Sequence, residues 1–358
     1  MVFVRTSAGA REARFVLGGW NTLAGHILSV DIGATSTVMG IFDGDANLRH
    51  KLKFPTNKHS FRENVKEIKR RIAQCFGGSS PDQVICGMGL GLPVLYDEQT
   101  DIIQKAANLP QWVDQRVKLV LEAEMNNIPV CLLTDVYASL LGEKMFGAAK
   151  HASHFVNICV GTGLGMGMFL SGSLYGGANN LAGAIGHMTF REGGRPCGCG
   201  KSGCVETYVC GGYMEELLRK KCASGEYGSS RLCDAVQRGE VISSFEIIKG
   251  AHANDQLCID ILNEIGHNLG LVIADVILLL DPELVILNGG VIINSPPFLI
   301  DKIKKTVDAN VFAGANTANI LISTLGEEAS LYGHYWAVRN HLAGSVSSGS
   351  APPAIAQR

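Results

Sequence analysis

Two glycine-turned segments, one in each half of the chain, constrain the fold most strongly. In residues 26–43 (HILSVDIGATSTVMGIFD), and again in residues 154–177, two apolar runs are joined by a short turn rich in glycine. Such a pattern predicts a β-hairpin. Because alternating strand-like and helix-like segments follow each hairpin, the sequence favours an α/β fold with two similar lobes and a cleft between them.

The size and composition agree with two lobes of ordinary size. The chain has 358 residues, of which 46% are hydrophobic and 18% are charged. That is enough apolar surface to build a large core, so wholesale disorder is excluded. The formal net charge is −2, which argues against broad electrostatic binding to nucleic acid.

Neither a membrane segment nor an export signal is expected. The longest apolar stretch, residues 269–280, is interrupted by Asp275 and is too short to cross a bilayer. Residues 1–15 contain scattered arginines and no apolar segment ahead of a cleavage site. We therefore expect a cytoplasmic protein whose 11 cysteines are reduced.

Hydrophobic periodicity predicts the remaining elements. The expected strands span residues 47–54, 83–93, 129–134 and 283–291. The expected helices span residues 60–76, 112–126, 135–146, 205–224, 256–280, 298–309 and 328–341.

The first turn carries groups that suit a phosphate. Glycine lets the backbone approach a phosphate closely, Thr35 and Ser36 can donate to its oxygens, and Asp31 can hold Mg²⁺ directly or through water. An ordinary hairpin turn would show the same local pattern. This segment alone therefore leaves both interpretations open.

The second turn, GTGLGMG at residues 161–167, allows two interpretations. One is a dinucleotide-binding fingerprint, which requires a helix to begin directly after the loop. The residues that follow, 168–174, have the pattern of a returning strand instead. The sequence therefore favours a phosphate-binding hairpin over NAD binding, and two such turns in matching halves strengthen both assignments.

A compact cysteine cluster predicts a metal site. Cys197, Cys199 and Cys204 are separated mainly by glycine, and His187 lies ten residues upstream of the first of them. Three thiolates and one imidazole suit a closed tetrahedral site for structural Zn²⁺, with no position left for water. The alternative is a set of unpaired surface thiols.

Asp135 follows a predicted strand and opens a predicted helix. An aspartate in this position is either the helix N-cap or a general base at the end of a strand facing the cleft. Position along the chain does not separate the two roles.

Taken together, the motifs resemble those of a known family. In chain order they are DIGAT, GLGLP with ANLPQW, TD, GTGLGMG, AGAIGHM, CGCGKSGCVET and DPELVILNGGV. This set is similar to that of the ROK sugar kinases and their repressor relatives, from about residue 27 to about residue 341. The resemblance implies a two-lobed, actin-like ATPase fold related to ribonuclease H, with ATP in the cleft between the lobes.

The resemblance also implies roles for individual residues. Asp135 matches the catalytic base that takes the proton from the sugar hydroxyl. The positions that match ATP-binding residues are Asp31, Gly33, Ala34, Thr35, Ser36, Gly161, Thr162, Gly163, Gly165, Gly289 and Gly290. The zinc ligands match His187, Cys197, Cys199 and Cys204, and the sugar-contacting positions match Thr134, Asp135, His187 and Glu206.

A domain organisation follows from these assignments. We expect a poorly ordered leader over residues 1–25 and a disordered tail over residues 344–358. We expect an N-terminal lobe over residues 26–134, completed by a helix over residues 328–343, and a C-terminal lobe over residues 135–327 with its zinc loop at 187–204.

Two positions depart from the family pattern. Thr134 stands where the family usually has Asn before the catalytic Asp, and Ala184 stands where it usually has Glu, three residues before the zinc histidine. Losing a carboxylate that accepts from sugar hydroxyls costs about 1–3 kcal/mol of affinity. The sugar site is therefore either retuned for another sugar or weakened.

The implied activity is transfer of phosphate from Mg-ATP to the 6-hydroxyl of an aldohexose. The GAT turn, the GLPVL loop, the residue before Asp135 and the GANN segment are most similar to D-allose kinases. N-acetylmannosamine kinase and glucokinase are the alternatives, and Ala184 departs from all of them.

A sugar-responsive transcriptional regulator and a catalytically weakened sugar-binding protein are the competing functions. The regulators carry a helix-turn-helix ahead of the first hairpin, whereas the residues before 27 show no pair of helical patterns here. We therefore expect no nucleic-acid or membrane partner. The resemblance implies a homodimer.

Overall fold

The chain divides into two units, of which the first takes both ends of the sequence. The computed structural model describes residues 3–4, 25–97, 99–106, 109–178, 181–228, 230–312, 318–348 and 355–356. The first unit comprises residues 1–150, 177–180 and 328–358, and the second comprises residues 151–176 and 181–327. Most of the expected leader and the end of the expected tail lie outside the described residues.

Strands and helices alternate along much of the described chain, numbered from the N-terminal end. The strands are β1 His26–Ile32, β2 Ser36–Phe42, β3 Leu48–Pro55, β4 Ile85–Gly91, β5 Leu95–Asp97, β6 Ile102–Lys105, β7 Val130–Leu133, β8 Phe155–Val160, β9 Leu164–Leu170, β10 Ser173–Leu174, β11 Leu284–Asn288 and β12 Asn319–Ile322. The helices are α1 Phe61–Cys75, α2 Pro81–Val84, α3 Val117–Met125, α4 Asp135–Met145, α5 Gly211–Ala223, α6 Arg231–Gln237, α7 Ser244–His252, α8 Gln256–Leu280, α9 Gly290–Ile293, α10 Phe298–Asn310 and α11 Ala329–Ser348. Short 3₁₀ turns occur at Pro110–Trp112, Ile185–His187, Val205–Tyr208 and Gly326–Glu328, and Phe3–Val4 pairs with Ile355–Ala356.

Each unit is built on a five-stranded sheet, and the two sheets share one topology. The strand order is β3-β2-β1-β4-β7 in the first and β10-β9-β8-β11-β12 in the second. In each sheet the first three strands form an antiparallel meander, and the last two run parallel to the central strand. The duplication predicted from the two hairpins is therefore confirmed in strand order and direction.

Helix α11 lies directly against strand β4 because alternate residues of that strand are glycines. Gly87, Gly89 and Gly91 point to the same face of the sheet, since strand side chains alternate. A Cβ built on Gly87 would lie 2.5 Å from Val338 Cγ1, and one on Gly89 would lie 2.6 Å from His334 Cβ. Any side chain at these positions would push the helix away from the sheet.

Helix α4 belongs to the first unit, which corrects the expected lobe boundary at residues 134 and 135. A Cβ on Gly142 would overlap the carbonyl oxygen of Ala329, and one on Gly333 would overlap that of Ala138. These two glycines let α4 and α11 pack backbone to backbone, so the boundary falls after residue 150. The contact joins distant parts of the chain, and local periodicity does not reveal it.

The C-terminal helix is longer than expected. It runs to Ser348, so residues 344–348, which we expected in a disordered tail, are helical. No proline occurs between Ala329 and Pro352, so no residue in this stretch forces the helix to end.

The core of the second unit is organised around α8. The buried side chains along it include Ile261, Leu262, Ile265, Leu269 and Ile273. The helix has 25 residues and is therefore longer than the apolar stretch at residues 269–280. Among the described residues, it is a helix long and apolar enough to cross a membrane. Most of its apolar segment is buried inside the protein, as in the core helix of a globular domain.

One covalent link and several short elements differ from expectation. Cys222 at the end of α5 and Cys233 in α6 form a disulfide, with Cα atoms 5.2 Å apart, although we expected reduced thiols. The pairing depends on how α5 and α6 pack, which the cysteine spacing does not show. The elements missed by periodicity are the strands β5, β6, β10 and β12 and the helices α2, α6, α7 and α9.

Candidate functional site

The first glycine turn joins β1 to β2, as the sequence predicts, and it is fixed by a threonine from outside the turn. Gly33 N donates to Ser36 O at 2.9 Å, which closes the turn. Thr56 Oγ1 donates to Gly33 O at 2.8 Å and also lies 3.0 Å from Thr37 Oγ1. In addition, Thr56 N donates to Thr35 O at 3.1 Å. Thr56 is thus a structural determinant of the turn that sequence reasoning missed.

The side chains of this turn remain accessible. Thr35 is exposed, and Ala34 and Ser36 are half-buried. With its carbonyl groups bonded to Thr56, the turn presents hydroxyl groups to solvent in a fixed arrangement. Such an arrangement is able to receive an anion such as phosphate.

Asp31 lies at the end of β1, just before the turn. Its Oδ2 accepts a hydrogen bond of 2.7 Å from Ser330 Oγ of α11. Burial and the nearby charge of Asp135 raise the pKa of Asp31 to about 6, although the Ser330 bond works in the opposite direction. Asp135 is therefore close enough to Asp31 for the two carboxylate charges to interact. The predicted base thus lies near the predicted Mg²⁺ ligand.

Asp135 is the first residue of α4, and it is not the helix cap. Thr134 takes that role, because its hydroxyl accepts a hydrogen bond from Tyr137 N at 3.3 Å. Asp135 Oδ1 accepts from Val136 N at 2.8 Å. Desolvation of the carboxylate by neighbouring protein atoms raises the pKa of Asp135, and hydrogen bonds from backbone amides oppose that rise. The residue nevertheless keeps access to solvent. Of the two roles open at this position, the N-cap is excluded.

The second glycine turn also forms a hairpin. Gly161 N donates to Gly163 O at 3.0 Å, and strand β9 follows at once, so the dinucleotide interpretation is wrong. Gly165 lies in β9, opposite Cys159 of β8. Gly211 N, at the start of α5, donates to Gly161 O at 3.1 Å.

Gly289 lies against the end of β8, beside this second turn. Its φ of +91° belongs to a region that favours glycine, and a Cβ there would overlap the carbonyl oxygen of Val160. Its N–H donates to Asn288 Oδ1 at 2.7 Å. Gly290 then begins the short helix α9.

The four predicted zinc ligands are brought together in the second unit. One ligand atom from each of His187, Cys197, Cys199 and Cys204 lies within 4.8 Å of the others. His187 Nδ1 is 3.7 Å from Cys197 Sγ, and Cys199 Sγ is 3.7 Å from Cys204 Sγ. A tetrahedron with zinc–ligand bonds of about 2.0–2.3 Å has edges of about 3.3–3.8 Å, so the donor set and these two distances fit Zn²⁺.

Glu206 joins this cluster to the second glycine turn. Its Oε1 is 2.8 Å from Cys197 Sγ and 3.5 Å from His187 Nδ1. A Cβ built on Gly163 would lie 3.5 Å from its Oε2. The carboxylate of Glu206 therefore lies between the cysteine cluster and the turn.

Ala184 immediately precedes the 3₁₀ turn that carries His187. Its carbonyl oxygen accepts from His187 N at 3.0 Å, and its side chain is exposed. A longer side chain at Ala184 would therefore have room, and it would project from the same turn as the imidazole.

Within each unit the predicted residues gather at one place. In the first unit, the end of β1 carries Asp31 and the glycine turn, and the start of α4 carries Thr134 and Asp135. Helix α11 contacts Asp31 through Ser330, and Asp135 interacts with Asp31 through its charge. The second unit brings together the turn at Gly161, Gly289, Glu206 and the cysteine cluster.

Comparisons with known proteins agree with these features. The family model described as "ROK family" matches residues 27–341. The glucokinase of Halalkalibacterium halodurans is 30% identical over 87% of this chain and 94% of its own length, and the xylose repressor of Bacillus subtilis is 27% identical over 94% of this chain and 82% of its own.

A solved structure shows the same architecture. The ROK family glucokinase from Streptomyces griseus, in complex with glucose and AMPPNP, superposes with a TM-score of 0.72 at 25% identity, over 88% of this chain and 99% of that one. This similarity confirms the expected α/β, actin-like fold of two domains. The chain belongs to the ROK family.

Proposed function

We propose that this chain is an ATP-dependent sugar kinase that transfers the γ-phosphoryl group of Mg-ATP to the 6-hydroxyl of an aldohexose. One observation carries the proposal: Asp135, which is not needed as a helix cap, acts electrostatically on Asp31, which leads into the glycine turn. The relatives from H. halodurans and S. griseus, both glucokinases, support it.

The two glycine turns would hold the phosphates of ATP. Hydroxyl groups of Thr35, Ser36 and Thr162 would supply hydrogen-bond donors, and the glycines allow close approach of the backbone. The glycines assigned to ATP are Gly33, Gly161, Gly163, Gly165, Gly289 and Gly290, and Ala34 completes the first turn.

Asp31 would hold Mg²⁺, because a carboxylate oxygen is a ligand that this ion prefers. Ser330 bonds to Oδ2 and fixes the orientation of the carboxylate. Mg²⁺ supplies neutralisation of the phosphate charge that develops during transfer.

Asp135 would accept the proton of the sugar 6-hydroxyl as the hydroxyl oxygen forms its bond to phosphorus. Its raised pKa suits a general base, since a base is most effective when its pKa approaches the working pH. Thr134, His187 and Glu206 would contact the sugar and hold the hydroxyl in line for transfer.

Structural Zn²⁺ would be held by His187, Cys197, Cys199 and Cys204. With all four positions taken by protein ligands, the ion would have no role in the chemistry. It would instead hold the turn that carries Glu206, whose Oε1 lies 2.8 Å from Cys197 Sγ.

The sugar that we propose is D-allose. A site built from hydroxyl-bonding groups rejects sugars whose hydroxyls leave those groups unpaired. Thr134 is shorter than Asn and is engaged as a helix cap, and Ala184 offers no polar atom. One side of the ring would therefore be held less tightly, and an altered configuration there would be tolerated. Glucose and N-acetylmannosamine are the alternative substrates.

A sugar-responsive regulator is the second candidate, because the B. subtilis relative is a xylose repressor. We favour the kinase because Asp135 is not the helix cap of α4 and because the relatives from H. halodurans and S. griseus are glucokinases. We further propose that the protein is a homodimer and makes no specific complex with DNA. A gel shift at physiological salt with its own upstream region tests the second point.

The decisive experiment is a coupled assay of ADP release with aldohexoses, comparing wild type with Asp135→Asn. Loss of a general base should lower turnover by about 10²–10⁴-fold. Asp281→Asn is the matched control, because Asp281 is an exposed residue in a left-handed conformation that Asn also adopts. Turnover of Asp135→Asn within about tenfold of wild type would reject Asp135 as the base, and no turnover of any sugar by wild type would favour a binding protein.

A further inference from the structure

Two buried side chains of the first unit have polar atoms that the proposed mechanism does not use. Ser29 of β1 and His334 of α11 are both inaccessible to solvent. In the part of the chain that the structure describes, Ser29 Oγ and both ring nitrogens of His334 have no hydrogen-bond partner. Buried polar atoms without a protein partner are costly unless ordered water satisfies them.

Both side chains lie in the layer between the sheet and α11. Ser29 is flanked across the sheet by Gly40 of β2 on one side and by Gly89 of β4 on the other. Gly89 in turn lies directly under His334, because a Cβ built on it would be 2.6 Å from His334 Cβ. A Cβ built on Gly40 would be 3.2 Å from Leu331 Cδ1 of α11, so both sheet neighbours of Ser29 face this helix.

The same layer reaches Asp31. Asp31 lies two residues beyond Ser29 on the same face of β1, and its register partner in β4 is Gly91. A Cβ built on Gly91 would be 2.9 Å from His334 Nε2 and 3.1 Å from Asp31 Oδ1. Those two atoms are therefore at most about 6 Å apart, and His334 Nε2 makes no direct hydrogen bond. One water is able to bridge a separation in this range with two hydrogen bonds of about 2.8–3.0 Å.

Helix α11 already holds the other oxygen of this carboxylate. Ser330 bonds to Asp31 Oδ2, and His334 follows one turn later on the same face of the helix. Burial lowers the pKa of His334 to about 3, so the imidazole is neutral and offers one donor and one acceptor.

We propose that ordered water occupies this layer, bonded to Ser29 Oγ and to His334, and that it links His334 Nε2 to Asp31 Oδ1. His334 is then a positioning residue that, together with Ser330, fixes both oxygens of Asp31. The water site stands without the proposed function, whereas its effect on Mg-nucleotide binding rests on that function. Partners of this kind commonly orient the side chain that holds a metal.

The first test is a crystal structure of the wild-type protein at a resolution that shows ordered water. We expect a water within hydrogen-bond distance of both His334 Nε2 and Asp31 Oδ1. A layer without water, or one in which His334 bonds to another protein group, would overturn the proposal whatever the activity of the protein is.

The second test is calorimetric binding of AMPPNP, with Mg²⁺ and with EDTA, to His334→Phe, which keeps a planar ring and removes the polar atoms. We expect the affinity with Mg²⁺ to fall about three- to tenfold and the affinity in EDTA to stay unchanged. In an Asp31→Asn background His334→Phe should have no further effect. Ser29→Ala, a smaller change, should weaken Mg²⁺-dependent binding in the same direction.

Val338→Ala is the matched control for packing. Val338 lies one turn after His334 and packs on Gly87, so its truncation loosens α11 without removing a polar atom. Stability should fall in this variant and Mg²⁺-dependent affinity should not. Equal loss in Val338→Ala and His334→Phe would overturn the positioning role. Unchanged Mg²⁺-dependent binding in Asp31→Asn alone would instead reject the assignment of Mg²⁺ to Asp31.

Discussion

The Glu206 carboxylate lies 2.8 Å from Cys197 Sγ, so a proposed sugar contact and a proposed zinc ligand touch each other. The other oxygen of Glu206 faces the glycine turn at Gly163. Through Glu206, the cysteine cluster and the second phosphate-type turn are therefore in contact with the same side chain within one unit. Loss of the metal should disturb all three together.

This connection gives the first prediction, which concerns zinc. Purified protein should contain one zinc per chain, and Cys199→Ser should lose it, because one of four ligands is replaced by a hydroxyl. Metal analysis of the purified variants measures this. The same variant should be cleaved faster by trypsin at Arg191 or Lys201, which lie in the loop that the metal would hold.

Cys75→Ser is the control for the zinc prediction, because Cys75 is a half-buried cysteine at the end of α1, outside the cluster. It should keep the zinc and the protease resistance of wild type. A fully folded wild-type preparation that is free of metal would contradict the assignment.

The second prediction concerns the stability cost of Asp31. Its pKa is raised to about 6, mainly by burial, so the folded state binds the proton more tightly than the unfolded state does. The free energy of unfolding should therefore fall as pH rises from about 4 to about 6, and should stay lowered above that. Asp31→Asn removes the charge and should stabilise the protein by about 1–3 kcal/mol at pH 7.5.

Urea unfolding in EDTA, at pH 4 and at pH 7.5, measures this effect. The gain from Asp31→Asn should disappear at pH 4, where wild-type Asp31 is protonated. Asp281→Asn, an exposed site, should show no gain at either pH. If the unfolding free energy of Asp31→Asn is lower than that of wild type at pH 7.5, then the buried charge of Asp31 does not destabilise the folded protein.

The third prediction concerns Thr56, which holds the first glycine turn. Thr56→Val keeps the shape of the side chain and removes the hydroxyl that bonds to Gly33 O and Thr37 Oγ1. We expect a loss of about 1–3 kcal/mol in unfolding free energy and a several-fold rise in the KM for ATP with little change in the KM for sugar.

Thr306→Val is the matched control for Thr56→Val. Thr306 is also buried, and its hydroxyl bonds to Lys302 O within α10. This variant should lose stability without any change in the KM for ATP. Equal effects of the two substitutions on the KM for ATP would mean that Thr56 acts only through overall stability.

The elements and residues that sequence reasoning found all have local signals. The two hairpins follow from alternation over 18–24 residues around a glycine turn, as at Gly33 and Gly161, and the cysteine cluster follows from spacing within one loop. Asp135 is placed at the start of a helix because a strand pattern ends just before it. In each case neighbouring residues carry the whole pattern.

The determinants that sequence reasoning missed are contacts between distant segments. Ser330 and His334 reach Asp31 across nearly the whole chain, and Thr56 bonds back to Gly33 from just beyond β3. The alternate glycines of β4 are visible in the sequence, but their meaning depends on the helix that packs on them. Thr134 is an exception among the missed determinants, because its role is local. Threonine is a common N-cap residue, but the family resemblance led us to assign Thr134 only a contact with the sugar.

The last prediction concerns the sugar, and it uses the two positions that depart from the family pattern. Asn caps a helix as well as Thr does, so Thr134→Asn should restore the usual side chain without unfolding the start of α4. Ala184→Glu places a carboxylate on an exposed site in the turn that carries His187. Both variants should be assayed by ADP release with D-allose, glucose and N-acetylmannosamine.

If the pocket is retuned, the wild type should prefer D-allose, and the double variant should shift the ratio of kcat/KM toward glucose. A restored carboxylate that accepts from ring hydroxyls is worth about 1–3 kcal/mol, or a change of about 5- to 150-fold in that ratio. If the departures reflect decay, Ala184→Glu should raise activity on every sugar and leave the ratio unchanged. A wild-type preference for glucose or an N-acetylated sugar would reject D-allose while leaving the kinase in place, since the specificity positions are separate from Asp135 and Asp31.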